Sequence, residues 1–301
     1  LYIKRDDLTP LGLGGNKTRK LEFLLGDALA GGADTLVTVG GVQTNHGRLT
    51  AAAAAKAGLA CTLVLDGARP EKLSGNLLLD CLLGASLVYT DGRSTSAVIE
   101  ETLAALQAAG RAPYFIPEGG SNAVGSAGYL AMVPELLAQA DSLPVPPARL
   151  VCTMGSLGTF AGLWLGARAF GAPFSVTGVA VNPTTGYTRE KAAALVNEMS
   201  AAYGLDIAAA PEDMDIIYAD AAHDYAGPGY NVPDAKTRGA VELLARTEGI
   251  FLDPCYTAKS FRGFCDIARE LDGGAIFVHT GGTPALWTQE HLDAFAADYW
   301  N

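Results

Sequence analysis

The chain reads as an α/β protein built on parallel sheets covered by helices. Three observations point there. Strand-like and helix-like runs alternate along the 301 residues, the pattern of a mostly parallel sheet with helices on both faces. Short apolar runs empty into glycine-rich turns that open helices. Hydrophobic residues at 49% and charged ones at 18% describe a globular chain, long enough for one or two domains with substantial cores.

In order, the predicted strands are 34–39, 60–65, 86–89, 113–116, 148–153, 174–181, 214–218 and 275–279. The predicted helices are 17–31, 44–58, 94–110, 124–140, 158–170, 187–203, 234–248, 257–271 and 284–297. Leu143-Pro144-Val145-Pro146-Pro147 is the predicted linker, because proline cannot continue a helix. No internal repeat is visible.

Charge and composition exclude several classes. A formal net charge of −11 with no basic run argues against nucleic acid or an anionic membrane as partner. No uncharged apolar stretch reaches the length of a membrane span, and Lys56 interrupts the apolar run around Ala51–Ala60. No secretory signal is visible, so the chain is expected in the cytoplasm. Cys61, Cys81, Cys152, Cys255 and Cys265 are odd in number, widely spaced and without a C-x-x-C, which fits reduced packing thiols rather than disulfides or zinc. No metal site is predicted. His223 and His291 carry no supporting pattern and are expected on the surface.

Three segments carry the chemistry. In Gly14-Gly15-Asn16-Lys17-Thr18-Arg19-Lys20 a glycine-rich turn opens a helix. A lysine there sits near backbone donors and a positive helix terminus, and with partial desolvation its amine can lose its proton and form a Schiff base. A lone Gly-Asn-Lys is ordinarily a solvated lysine; two further segments change the reading. Val39-Gly40-Gly41-Val42-Gln43-Thr44-Asn45-His46 follows the apolar run Thr35–Thr38. This strand–turn–helix presents Thr44, Asn45 and His46 at the carboxyl end of a parallel sheet, where α/β proteins bind ligands. Helix capping explains Thr44, and even Asn45, but not all three polar groups. In Leu150-Val151-Cys152-Thr153-Met154-Gly155-Ser156-Leu157-Gly158-Thr159 another strand feeds a glycine turn whose N–H groups can form a phosphate nest. No lysine follows Gly158 and no glycine stands two before Ser156, so neither a nucleotide P-loop nor a nucleophile elbow is present.

With these blocks the chain resembles the D-cysteine desulfhydrase and 1-aminocyclopropane-1-carboxylate deaminase family, pyridoxal-phosphate enzymes of the tryptophan-synthase-β fold type. The resemblance runs from Ile3-Lys4-Arg5-Asp6-Asp7-Leu8 to His279-Thr280-Gly281-Gly282-Thr283-Pro284. Between them lie GGNKTRKLEF at 14–23, GGVQTNH at 40–46, PEGGSNAVGSAGY at 117–129, DYAGPGYNVP at 224–233 and LDPCYTAKS at 252–260. It implies a small α/β domain over 15–131 and a larger one from 1–14 and 132–301, with pyridoxal 5'-phosphate between them. It also implies a homodimer, an amino-acid substrate, and a few tens of residues before Leu1.

The resemblance also distributes roles. Lys17 would hold the cofactor as a Schiff base and then move the substrate's Cα proton, with Asn16 beside the cofactor. Gly155, Ser156, Leu157, Gly158 and Thr159 would hold its phosphate. Asn45 is similar to the asparagine that bonds the phenolic oxygen, and Thr44, Asn45 and His46 would receive the substrate carboxylate. Tyr230 and Tyr256 match two tyrosines facing the substrate side chain. Thr257 matches the position opposite the ring nitrogen, where the ring-opening deaminases carry glutamate; a hydroxyl leaves that nitrogen largely neutral and favours loss of a β-substituent. His46 points the same way, since the deaminase-type block has glutamine there. Thr44 stands where desulfhydrases have serine, and its methyl is expected to narrow the pocket. The implied reaction is α,β-elimination of D-cysteine to hydrogen sulfide, ammonia and pyruvate. The rivals are sulfo-lysis of cysteate, aminocyclopropane deamination and, from another class, a catalytically silent amino-acid sensor.

Overall fold

The computed structural model describes residues 1–182, 186–220, 222–232 and 234–300. Its strands are β1 (Tyr2–Arg5), β2 (Thr35–Gly41), β3 (Ala60–Asp66), β4 (Ser86–Tyr89), β5 (Pro113–Ile116), β6 (Pro147–Met154), β7 (Ser175–Ala180), β8 (Ile216–Ile217) and β9 (Gly274–His279). The helices are α1 (Asn16–Ala30), α2 (Asn45–Ala57), α3 (Gly75–Leu82), α4 (Thr95–Ala108), α5 (Ala123–Leu130), α6 (Met132–Ala140), α7 (Gly158–Ala169), α8 (Arg189–Ala202), α9 (Ala235–Glu248), α10 (Thr257–Glu270) and α11 (Gln289–Trp300).

The strands form two sheets rather than one, in orders β4-β3-β2-β5 and β1-β9-β6-β7-β8. Every pairing is parallel. Parallel strands need crossover helices, which then cover both faces, so the central strands read as near-continuous apolar runs. Leu36 and Val37 of β2 and Leu63, Val64 and Leu65 of β3 are fully buried. One core joins the four-stranded sheet to α1 and α2 through Leu21, Leu24, Leu49 and Leu63. The five-stranded sheet has a core on each face, one around Phe160 and Leu163 of α7, the other around Phe261 and Phe264 of α10.

The sequence expectations differ from the structure at four places. β1 was not anticipated: Tyr-Ile-Lys-Arg has no strand pattern of its own and becomes one by pairing Tyr2–Arg5 with Ile276–His279 of β9. The helix α3 was also missed. The expected helix 124–140 is two, α5 and α6, and Pro134 explains the break, since it lacks the N–H a continuous helix needs at that turn. The expected helix 284–297 is a 3-10 turn over Thr283–Trp287 followed by α11.

Backbone conformation brings the two sheets' loops together. Gly15 has φ +128°, and a Cβ built on Gly281 would lie 2.6 Å from the Gly15 Cα. Only glycines permit this crossing. It lets Asn16 N–H donate to the Thr280 carbonyl at 3.0 Å, pinning the start of α1 to the end of β9.

Candidate active site

A cavity of about 260 Å³ lies where both sheets end. Gly40 and Gly41 close β2, Asp66 closes β3, Glu118 follows β5, Gly155 and Ser156 follow β6, Val181 and Asn182 follow β7, and Thr280 follows β9. All stand at or just beyond carboxyl ends, where parallel strands leave their ligand crevice. Of the residues singled out in the sequence, Asn16, Lys17, Thr44, Asn45, His46, Gly155, Ser156, Thr159, Tyr230 and Tyr256 line it.

Lys17 occupies the first turn of α1. Its ammonium donates to Asn16 Oδ1 at 3.2 Å. Desolvation pushes it down to about 8, with Arg48 adding to the effect and the Glu118 charge opposing it. An amine at that value is substantially neutral and nucleophilic near pH 8.

The turn before α7 offers donors for an anion. Gly158 N–H donates to Ser121 Oγ at 3.2 Å, and Lys20 Nζ donates to the same oxygen at 3.1 Å and to the Gly119 carbonyl at 2.9 Å. Ser121 in turn donates to Ser156 Oγ at 2.8 Å. The Ser156 hydroxyl thus keeps its own proton for the cavity, with Ser121 and the Lys20 amine behind it; burial, then Lys17, lowers that amine well below 10.5. Asn16 Nδ2 donates to Thr159 Oγ1 at 3.0 Å, which frees the Thr159 proton in the same way. These two donors at the start of α7 form the cradle that a phosphate ester requires. The lysine that the turn lacks in sequence arrives as Lys20, from α1. Leu157 and Gly158 belong to this turn but do not line the cavity.

A third wall is the start of α2. Thr44 caps the helix, its Oγ1 accepting from Gly47 N at 3.2 Å, so its hydroxyl proton remains to donate. The Thr44 methyl lies 2.5 Å from where a Cβ on Gly47 would stand, so it packs back on its own helix. Asn45 Oδ1 accepts from Arg48 Nη1 at 3.1 Å and Asn76 Nδ2 at 2.9 Å. Arginine only donates, so the Asn45 amide NH₂ is the group left for the cavity. His46 Nε2 meets Thr38 Oγ1 at 2.8 Å, and Thr38 donates its proton to the Ile116 carbonyl. The Thr38 oxygen therefore accepts, and Nε2 carries the hydrogen. Burial, then Lys17 and Lys20, hold His46 neutral, well below 6.5.

Tyr256 Oη donates to Tyr230 Oη at 2.7 Å, with the rings edge-on at 72°. Burial raises the Tyr256 phenol well above 10. Tyr230 reaches it on a loop clamped by Lys259, whose Nζ donates to the Ala226 and Gly229 carbonyls at 2.6 and 2.8 Å. The motif carrying Tyr230 ends on Pro233, which lies outside the described residues.

Thr257 requires a correction. It is fully buried and absent from the cavity wall. Its hydroxyl donates to Asp253 Oδ1 at 2.6 Å, while Asp253 also accepts the N–H groups of Cys255, Tyr256 and Thr257. The carboxylate caps the start of α10, and the Thr257 proton is spent on it rather than on the cavity. The other expectations divide. Cys255 is a buried thiol, as expected, and His223 is half-buried near the surface, whereas His291 is fully buried on Asn231 Oδ1 at 3.0 Å.

Several lining residues were missed: Asp66, Glu118, Thr153, Asn182, Tyr187 and Thr280. Thr153 and Thr280 stand at the ends of predicted strands, so position at a carboxyl end was the available signal. Arg48, buried behind Asn45 and donating to the Gly14 carbonyl at 2.9 Å, had none.

A desolvated lysine, a turn with free hydroxyl donors and a sheet-end crevice together fit a pyridoxal-phosphate site. The chain matches the family model for pyridoxal-phosphate dependent enzymes over residues 1–281, and it belongs to that family. Pyridoxal phosphate is its cofactor. Among relatives, it is 42% identical over 297 residues to a D-cysteine desulfhydrase of Klebsiella pneumoniae, covering 95% of this chain and 88% of that one. It is 40% identical over 292 residues to a putative 1-aminocyclopropane-1-carboxylate deaminase of Pyrococcus abyssi, covering 95% and 86%. A crystal structure of an ACC deaminase homologue superposes with a TM-score of 0.87 at 37% identity, over 98% of this chain and 87% of that one. A crystal structure of O-ureido-L-serine synthase, at 18% identity and TM-score 0.65, shares the fold.

Proposed function

We propose that the protein is a carbon–sulfur lyase that eliminates sulfide from D-cysteine, leaving pyruvate and ammonia once the released enamine hydrolyses. The observation that carries this reading is Lys17, desolvated to about 8 in a cavity that the Ser156 and Thr159 hydroxyls equip to hold a phosphate. Bound pyridoxal phosphate supplies the electron sink that makes an amino acid's Cα proton acidic. Lys17 Nζ takes that proton. The α2 N-terminus, with the Thr44 hydroxyl and the Asn45 amide, orients the substrate carboxylate. Tyr256 donates to Tyr230, whose own hydroxyl is engaged with the Cys255 thiol, and this pair lines the wall that the departing sulfur would face. Because burial raises the Tyr256 phenol, the pair does not act as a proton donor. Hydrosulfide leaves as an anion near neutral pH and needs none.

Ring opening of 1-aminocyclopropane-1-carboxylate is the second reading, favoured by the Pyrococcus relative. The desulfhydrase relative, 42% identical over 297 residues, supports the first reading. We place the small domain at 15–131, with 1–14 and 132–301 forming the larger one, consistent with one sheet in each. A cytoplasmic homodimer completes the proposal. The test is incubation of the holoenzyme with D-cysteine, L-cysteine, L-cysteate and the cyclopropane amino acid. Equal pyruvate and sulfide from D-cysteine is expected; 2-oxobutyrate without sulfide would establish the deaminase instead, and no product at all a sensor.

A further inference from the structure

Among the described residues, the charges facing the cavity are unbalanced. Glu118 and Asp66 line it as carboxylates, and Lys17 is the one lining ammonium. The cofactor takes Lys17. Three more basic side chains lie close, yet none of them lines the wall: Lys20, Arg48 and Lys259 are buried and donate to Gly119, Gly14 and Ala226 carbonyls behind it. His46 is neutral. A substrate carboxylate can use the α2 N-terminus, but a second anionic group on the side chain finds no counter-charge.

Glu118 is placed to exploit this. It follows β5 of one sheet, and Tyr187, beyond β7 of the other, donates its hydroxyl to Glu118 Oε2 at 2.7 Å across the cleft. The Tyr187 carbonyl is itself held by Tyr218 Oη at 3.1 Å. The carboxylate is thus anchored at the entrance, and its charge reaches Lys17.

We propose that Glu118, anchored by Tyr187, is a charge filter that admits amino acids with neutral side chains and turns away those whose side chain is anionic. This rests on the lyase reading and narrows it, toward cysteine in its thiol form and away from sulfonates such as cysteate.

Aspartate and asparagine are nearly isosteric and differ by one charge. Each enantiomer is titrated into the holoenzyme and its dissociation constant read from the change in the cofactor's visible absorbance. The parent is expected to bind asparagine at least about fivefold more tightly than aspartate, ~1 kcal/mol. Because Glu118 is solvent-exposed, raising salt to about 0.5 M should shrink that ratio. Glu118→Gln keeps an oxygen for the Tyr187 hydroxyl and should bring the two constants within about twofold, the remainder of a pairwise charge effect. Equal binding in the parent, or an unchanged preference in Glu118→Gln, would overturn the filter. Should the variant not fold, the parent's ratio and its salt dependence still decide. Failure of the lyase reading shows separately, as absence of pyruvate from either cysteine with the binding ratio intact.

Discussion

Asp80→Asn should make the protein more resistant to unfolding as pH rises. Asp80 lies on α3 with no exposed surface, and neither carboxylate oxygen has a hydrogen-bond partner. Burial pushes its carboxyl up from 3.8 to about 7, although the Arg48 charge pulls the other way. Between those values the native state holds a proton that the unfolded chain has released, so stability falls as pH rises through the window. A carboxyl that titrates near 7 instead of 3.8 corresponds to ~4 kcal/mol lost by pH 8. Asparagine does not titrate. Whatever constant offset the amide introduces, the stability difference between variant and parent should grow by a few kcal/mol from pH 4.5 to 8. Urea unfolding of the holoprotein at several pH values measures it, cofactor linkage cancelling between the two proteins. Parallel stability curves would refute the reasoning. A variant that becomes relatively weaker at high pH would show that ionised Asp80 stabilises the fold through Arg48.

Two further predictions concern the site. Lys17→Ala should abolish the borohydride-reducible visible chromophore and lower activity by roughly three orders of magnitude or more, as expected for loss of a covalent catalytic group; cofactor capture by the parent apoprotein should quicken with pH around 8 rather than 10.5, and a reduced adduct mapping to Lys20 or Lys259 would refute the assignment. Thr257→Glu should fail as a fold rather than as a catalyst, because it sets a second carboxylate against Asp253, 2.6 Å from the present hydroxyl, at a cost of roughly 3–5 kcal/mol; a variant that melts like the parent but eliminates sulfide more slowly would show that this side chain reaches the cavity.

Much of the architecture was legible because each piece has a local cause. Alternating apolar runs and alanine-rich stretches report strands and helices through their periodicity, and Gly40-Gly41 and Gly155 mark the sheet-end turns. Lys17, Thr44, Asn45, His46, Ser156 and Thr159 came from those turns and do share one cavity. β1 escaped because a strand of four residues exists only through its partner, and His291 because its burial depends on Asn231, sixty positions away.

What a residue type permits is written in the sequence; which neighbour uses it is decided by packing. The sequence by itself determined the parallel α/β class, and it placed Lys17 at the head of α1 and the glycine turn ahead of α7. Tertiary structure decided that the strands part into two sheets and that Lys20 stands behind the phosphate turn. It also decided that Asn76 of α3 helps fix the face Asn45 shows the cavity, and that Glu118 meets Tyr187 across the entrance. The difference is physical. Hydrophobic periodicity and glycine turns act over a few residues, whereas hydrogen-bond partners and desolvation are also set by distant groups that only folding brings within about 3 Å of one another.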